Sequence, residues 1–209
     1  MKTEAELKFD RIIKEGFQEV LKPLGFKKKA NNFYLQLPEL GQIINIQKSA
    51  YYSKQKIHFT INTGIFIPQY WLAFYNFHDG TLPIFPTESE CLIRKRIGEL
   101  KKQKDTWYDI TDATDENEVI HEMKENLEQF ILPHFERLKT ISQFLELIET
   151  ENLLSGAFDK LIIYGEFKLL DHGQKELEKL LKETRNPHTV ASMREYGKQY
   201  GLNLSPPRL

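Results

Sequence analysis

Two neighbouring stretches of apolar–polar alternation constrain this chain more than anything else in it. In the first, Ile44, Ile46 and Ala50 alternate with Asn45, Gln47 and Ser49, with Lys48 interrupting the apolar row. In the second, Ile57, Phe59, Ile61 and Ile65 alternate with His58, Thr60 and Asn62. A period of two marks a strand with one buried face, and the segment from Tyr51 to Gln55 joins the two as a hairpin. Pairing Ser49 with His58, Gln47 with Thr60 and Asn45 with Asn62 sets like against like on both faces. A slip of one residue would turn the polar row into the core, so the pattern fixes the register.

The flanking sequence reads as helix before and mostly helix after. Leu7, Phe9, Ile12, Ile13, Phe17, Val20, Leu21 and Leu24 recur at helical spacing and predict an amphipathic N-terminal helix stopped by Pro23 and Gly25. Short strands follow at 26–29 and 33–37 around the turn signal Asn31-Asn32, and Cys91-Leu92-Ile93 is a further short strand. Between them lies an aromatic stretch in which Tyr70 to Tyr75 form a helical turn or two and His78-Asp79-Gly80 a turn. Asp115 with Glu118 has the spacing of a capping pair. The apolar period then runs from Val119 to Ile148 with a kink at Pro133. From Ala157 to Leu202 three short helices are expected, with breaks at Asp171-His172-Gly173 and Asn186-Pro187 and a helical hairpin over Leu161 to Leu181. The fold class is α+β: an N-terminal helix on an antiparallel sheet of four to five strands, followed by a helical C-terminal region. The expected division is an α+β domain over 1–110 and a helical region over 111–209.

Composition narrows the classes of function. Of 209 residues 40% are hydrophobic and 28% charged, so a packed core is within reach and disorder is not expected. The single cysteine, Cys91, forms no internal disulfide and no thiolate-only zinc site. The polar start of the chain has no signal-peptide core, and no apolar run approaches the ~20 residues that span a bilayer. A cytoplasmic protein is the expectation. The net charge of −1 argues against indiscriminate nucleic-acid binding, but it hides a split. Residues 1–110 hold 17 basic and 12 acidic side chains, whereas the remainder is acidic. Such a split suits either an anionic ligand for the first half or mutual neutralisation of the two halves.

No phosphate-binding glycine loop is present, and the six histidines (His58, His78, His121, His134, His172 and His188) include no pair at metal-ligand spacing on a helix. No metal site and no cofactor is expected. Cys91 beside Glu90 reads as a core filler rather than a nucleophile. Ser49 opposite His58 is the one nucleophile–base pairing, and neither strand offers an acid on that face. The candidate ligand-binding surface is therefore the polar row with two nearby cations: Asn45, Gln47, His58, Asn62, Arg94 and Arg96, roofed by Tyr70, Trp71 and Tyr75. A plain half-exposed sheet face would show the same row. Tyr51, Tyr52, Lys54 and Lys56 interleave rings and cations at the hairpin tip, a short and generic signal for single-stranded nucleic acid.

Gly25-Phe26-Lys27-Lys28, Asn45-Ile46-Gln47-Lys48-Ser49, Phe59-Thr60-Ile61-Asn62-Thr63-Gly64, and Arg96-Ile97-Gly98 ahead of Trp107 resemble, in that order, the bacterial group known as domain of unknown function 4304. The resemblance covers about the first half, to near Tyr108. It implies a bacterial cytosolic protein and brings no activity or catalytic residue with it. The expected function is thus a non-catalytic binding or interaction protein whose basic polar sheet face engages an acidic protein or a small anionic ligand. Small immunity-like proteins are one such class. The alternative is an enzyme acting on a phosphorylated or carboxylated small substrate, with His58 as acid/base and Arg94 and Arg96 as the anion clamp. The enzyme requires a closed pocket, His58 within reach of Ser49 and both arginines turned onto it. The binding protein requires that the helices from Asp115 to Thr150 leave the face uncovered.

Overall fold

The computed structural model describes residues 2–51, 53–74, 80–151, 153–154, 156 and 158–204. The chain forms two compact units, Met1–Ile67 with Pro83–Phe144 and Pro68–Leu82 with Leu145–Leu209.

In the first unit the N-terminal helix opens on a reciprocal cap: Thr3 Oγ1 accepts from the Glu6 amide, and Glu6 Oε2 accepts from the Thr3 amide. It runs as α-helix over Glu4–Arg11, widens to a π-helical stretch over Ile12–Gln18 and closes with Glu19–Leu21. Phe9, Ile12, Ile13, Phe17 and Leu21 are buried, whereas Leu7 and Leu24 at the rim of the expected stripe stay about half exposed. Gly25, at φ +90°, takes the left-handed conformation that ends the helix and turns the chain into the sheet.

Six strands form one antiparallel sheet: β1 (Lys27–Lys29), β2 (Asn32–Gln36), β3 (Gly41–Lys48), β4 (Ile57–Phe66), β5 (Ile93–Arg96) and β6 (Tyr108–Ile110). The order is β1-β2-β3-β4-β5, with β6 also beside β4. β4 therefore shares its outer edge between two partners. Asn62 to Ile65 pair with β5, and Ile57 to Phe59 pair with β6. The hairpin has the expected register, with Asn45 opposite Asn62 and Gln47 opposite Thr60. β5 begins at Ile93 rather than Cys91, because Thr87 and Glu90 cap each other around the turn Glu88–Glu90 that Cys91 terminates.

The apolar face of the sheet carries the core. Phe9 meets Phe59 edge to face at 5.3 Å, and Phe17 stacks on Phe33 at 6.1 Å. The helix after β6 packs on this same face. It starts at Glu116, capped by Asp115, whose carboxylate accepts from the Asn117 amide at 2.9 Å. The return bond from Glu118 is not made among the described residues. Its last part bears down on the sheet: Phe135 stacks on Phe26 at 6.2 Å, and Gln42 Nε2 donates to the carbonyls of Phe135 and Leu138 at 2.9 and 3.1 Å. Ahead of Pro133 the helix passes through a π-helical stretch, Leu127–Ile131, before Leu132–Glu136. The expected kink takes this form because proline has no N–H to give and its ring presses on the preceding turn.

The second unit is helical. Helices Asp159–Glu166, Leu170–Glu183 and Pro187–Gln199 enclose Leu161, Leu177, Met193 and Leu202. One expected break is displaced. The chain turns at Phe167 to Leu169, with Lys168 at φ +56°, while Asp171-His172-Gly173 lies in the first turn of the next helix. Gly173 is buried there, and an added Cβ would meet Tyr164 and Leu202 at 3.5 Å, an ordinary contact distance, so the position tolerates a helical residue in place of a break. Tyr70, in the helix Pro68–Phe74, donates its hydroxyl to Asp159 at 2.8 Å. Tyr52, Tyr75 and the His78-Asp79 turn lie outside the described residues. Among those described, no helix is long and apolar enough to cross a membrane.

Candidate functional site

Strand alternation places Asn32 on β2, Asn45, Gln47 and Ser49 beside β3, His58, Thr60 and Asn62 on β4, Arg94 and Arg96 on β5 and Asp109 on β6 on one face of the sheet. The helices between Glu116 and Glu136 occupy the opposite face, so the polar row is not beneath them.

The middle of the row is closed by its own hydrogen bonds. Asn45 Nδ2 donates to Asn32 Oδ1 at 2.7 Å; Asn62 Nδ2 donates to Asn45 Oδ1 at 3.1 Å and to Gln47 Oε1 at 2.8 Å. Thr60 Oγ1 donates to the carbonyl of Thr106 at 2.7 Å. Asn62 and Thr60 are buried, while Gln47 stays exposed. Buried amides cost free energy unless paired, so this ladder of like residues holds three strands in register. At the Gly64 end the segment before β5 lies on the face, and an added Cβ on Gly64 would stand 2.5 Å from Cys91 Sγ. Burial pushes the Cys91 thiol well up from its ordinary value, which suits a packing residue and not a thiolate.

The hairpin end is different. Ser49 and His58 lie opposite each other, the Ser49 amide donating to the His58 carbonyl at 2.8 Å. Their side chains do not meet: Ser49 Oγ accepts from the Tyr51 amide at 3.2 Å. His58 turns instead to an acid that neither hairpin strand supplies. Its Nδ1 lies 2.6 Å from Asp109 Oδ1, directly across on β6, while Lys56 Nζ holds Asp109 Oδ2 at 2.9 Å. The hydrogen bond from Lys56, with that from His58, keeps the Asp109 carboxyl below its usual range against the effect of burial. An ionised Asp109 accepts from Nδ1–H, which leaves Nε2 as the free ring nitrogen: a donor to an anion when the imidazole is protonated, an acceptor when it is neutral. Nε2 has no hydrogen-bond partner among the described residues. The ring itself lies flat on Trp107, with centroids 4.6 Å apart and planes 8° from parallel.

Arg96 also lies over the indole, its guanidinium 5.6 Å from the ring centroid. Asp105 ties both down, accepting from Arg96 Nη1 at 2.6 Å and from Trp107 Nε1 at 2.9 Å. Arg94 forks onto Glu88 at 2.6 and 3.1 Å. The two arginines thus share a face, and each carries a carboxylate of its own. Beside His58 a concavity of about 300 Å³ opens to solvent, lined by Ser49, Tyr51, Ser53, Lys56 and His58. Tyr51 is 97% exposed at its lip.

The sequence-derived site is therefore divided. Asn45, Gln47 and Asn62 form the ladder, Arg94 and Arg96 are held by acids, and His58 and Ser49 line the open end. Tyr70 and Trp71 belong to the second unit. Asp105, Trp107 and Asp109 were missed: Asp109 sits on a strand of only three residues, and Asp105 and Trp107 lie in the irregular segment ahead of it. Among the described residues no group of three or more His, Cys, Asp or Glu is arranged to hold a metal ion.

The family model for a domain of unknown function, DUF4304, matches residues 17–137, a span running past β6 to the end of the helix that carries Phe135. No curated protein and no solved structure matches the chain.

Proposed function

The chain belongs to the DUF4304 family, and from the site within the matched span we propose that it is a non-catalytic binding protein that takes a carboxylate or phosphate group at the hairpin end of its polar sheet face. One observation carries this reading: the open concavity gathers the Lys56 ammonium, which it shares with Asp109, the Ser49 and Ser53 hydroxyls and a His58 ring already locked by Asp109 and Trp107. A ring fixed before the ligand arrives loses no rotamer freedom on binding. A role in a bacterial cytoplasm, of the immunity-like kind in which an acidic partner is held, belongs to the same proposal.

The enzyme reading has Asp109 in its favour, since it supplies the acid that orients a histidine base. Against it, no hydrogen bond joins the Ser49 hydroxyl to the His58 ring among the described residues, Arg94 and Arg96 are turned to Glu88 and Asp105, and the concavity is open to water. Titrating the ¹⁵N-labelled chain with inorganic phosphate and with tetraglutamate tests the proposal. Shifts confined to the amides around Ser49, Ser53, Lys56 and His58, lost in Lys56→Ala and kept in Lys56→Arg, support it. No saturable shift there with either anion rejects it. Phosphate without tetraglutamate identifies a small-molecule ligand, and the reverse an acidic peptide.

A further inference from the structure

A second surface lies at the far edge of the sheet, and it does not depend on the His58 site. β1 is the terminal strand of the sheet order, so its outer edge has no strand partner among the described residues. Its three residues, Lys27, Lys28 and Lys29, are all exposed. None of them, nor Lys22 nearby, makes an ion pair among the described residues, although most basic side chains of the His58 face are paired. Next to this edge, below the end of the N-terminal helix, is a cavity of about 320 Å³ lined by Gln18, Lys22, Phe26, Lys27, Lys28 and Phe33. Its floor is apolar: Phe26 is stacked on Phe135 and Phe33 on Phe17.

We propose that the outer edge of β1 docks an extended acidic segment of a partner protein, which adds a strand to the sheet and seats one apolar side chain on Phe26 and Phe33. Three features meet here that such recognition needs: unpaired backbone groups, a pocket for an alternate side chain, and complementary charge. Lys28 pairs with Phe33 and so lies on the cavity face, whereas Lys27 and Lys29 lie on the other. A docked strand thus meets lysine on both faces. Edge lysines are a common protection against strand-to-strand aggregation, because a neutral or basic strand cannot lie beside them without stranding charge. The same repulsion becomes selectivity when the incoming strand brings carboxylates. A three-residue edge offers few backbone bonds, so the complex is weak and reversible.

The experiment uses the full chain and fluorescence anisotropy of labelled peptides. The probe is a short peptide alternating glutamate with valine around a central phenylalanine. Controls are the same peptide with a central proline, the same with lysine for glutamate, and hexaglutamate. The proposal expects saturable binding of the first peptide alone, weakened about tenfold or more by Lys28→Glu and by Lys27→Glu/Lys29→Glu, as charge reversal at a charge-selective contact requires. Both variants change only exposed side chains, and an unchanged circular dichroism spectrum checks that they fold. Equal binding of the proline peptide or of hexaglutamate overturns strand addition. Binding indifferent to Lys28→Glu, or no saturable binding, overturns the site.

Discussion

The imidazole of His58 and the indole of Trp107 lie face to face at 4.6 Å, brought together from β4 and from the residue just ahead of β6. Ring current from the indole shifts the His58 ring protons upfield, and Trp107→Ala returns them to ordinary positions. Stacked aromatic pairs contribute about 0.5–1.5 kcal/mol beyond area burial, so the variant melts slightly lower but remains folded. Its phosphate affinity falls because the ring is no longer held. A melt lowered as expected with undiminished phosphate affinity would show that the stack supports the fold alone.

Gln42 joins the sheet to the helix behind it. Gln42→Leu leaves the Leu138 carbonyl without its amide donor, while the Phe135 carbonyl keeps the Leu138 N–H at 3.0 Å. With one buried acceptor stranded, the expected loss is about 1–3 kcal/mol in denaturant unfolding. Phosphate binding is unaffected, since Gln42 faces the apolar side.

Gly64 and Cys91 are fitted to each other. A methyl on Gly64 would meet Cys91 Sγ at 2.5 Å and its Cβ at 2.8 Å. Gly64→Ala therefore costs about 1–3 kcal/mol, as overpacking does. Cys91→Ala removes only the sulfur and rescues part of the loss, and Cys91→Gly rescues more. A double-mutant cycle without coupling contradicts the contact.

Alkaline pH destabilises the protein through buried and partly buried tyrosines. Burial, above all else, raises the hydroxyls of Tyr108, Tyr164 and Tyr200 well above their ordinary value. Above the ordinary tyrosine value of about 10 the unfolded chain loses these protons first, so the native state holds more of them and stability falls as pH rises. Below it both states are protonated and these groups add no pH dependence. Tyrosinate absorbance from these rings appears together with loss of the circular dichroism signal, not before it.

The hairpin was legible because fourteen or so residues of alternation overdetermine one register, and Asn45, Gln47, Thr60 and Asn62 pair as that alternation requires. The chemistry at its end was not. Asp109 reaches His58 only because β4 is long enough to pair with β5 along one half and β6 along the other. A three-residue strand, Tyr108–Ile110, shows a single alternation, too little to stand out from a loop. The arginines were read as two cations near the row pointing the same way, and they share its face, but their partners Glu88 and Asp105 come from a turn and an irregular segment that periodicity does not describe. The same holds for the break at Lys168, where a left-handed lysine turns the chain without a glycine or proline to announce it.

The most direct test of the binding site reads the His58 ring nitrogens by long-range ¹H–¹⁵N correlation during a phosphate titration. The account predicts a saturable shift at Nε2, a smaller one at Nδ1 because Asp109 already holds it, and none at the Nε atoms of Arg94 and Arg96. Saturable shifts at the two arginines with His58 unmoved would place the anion on the guanidinium groups and contradict it.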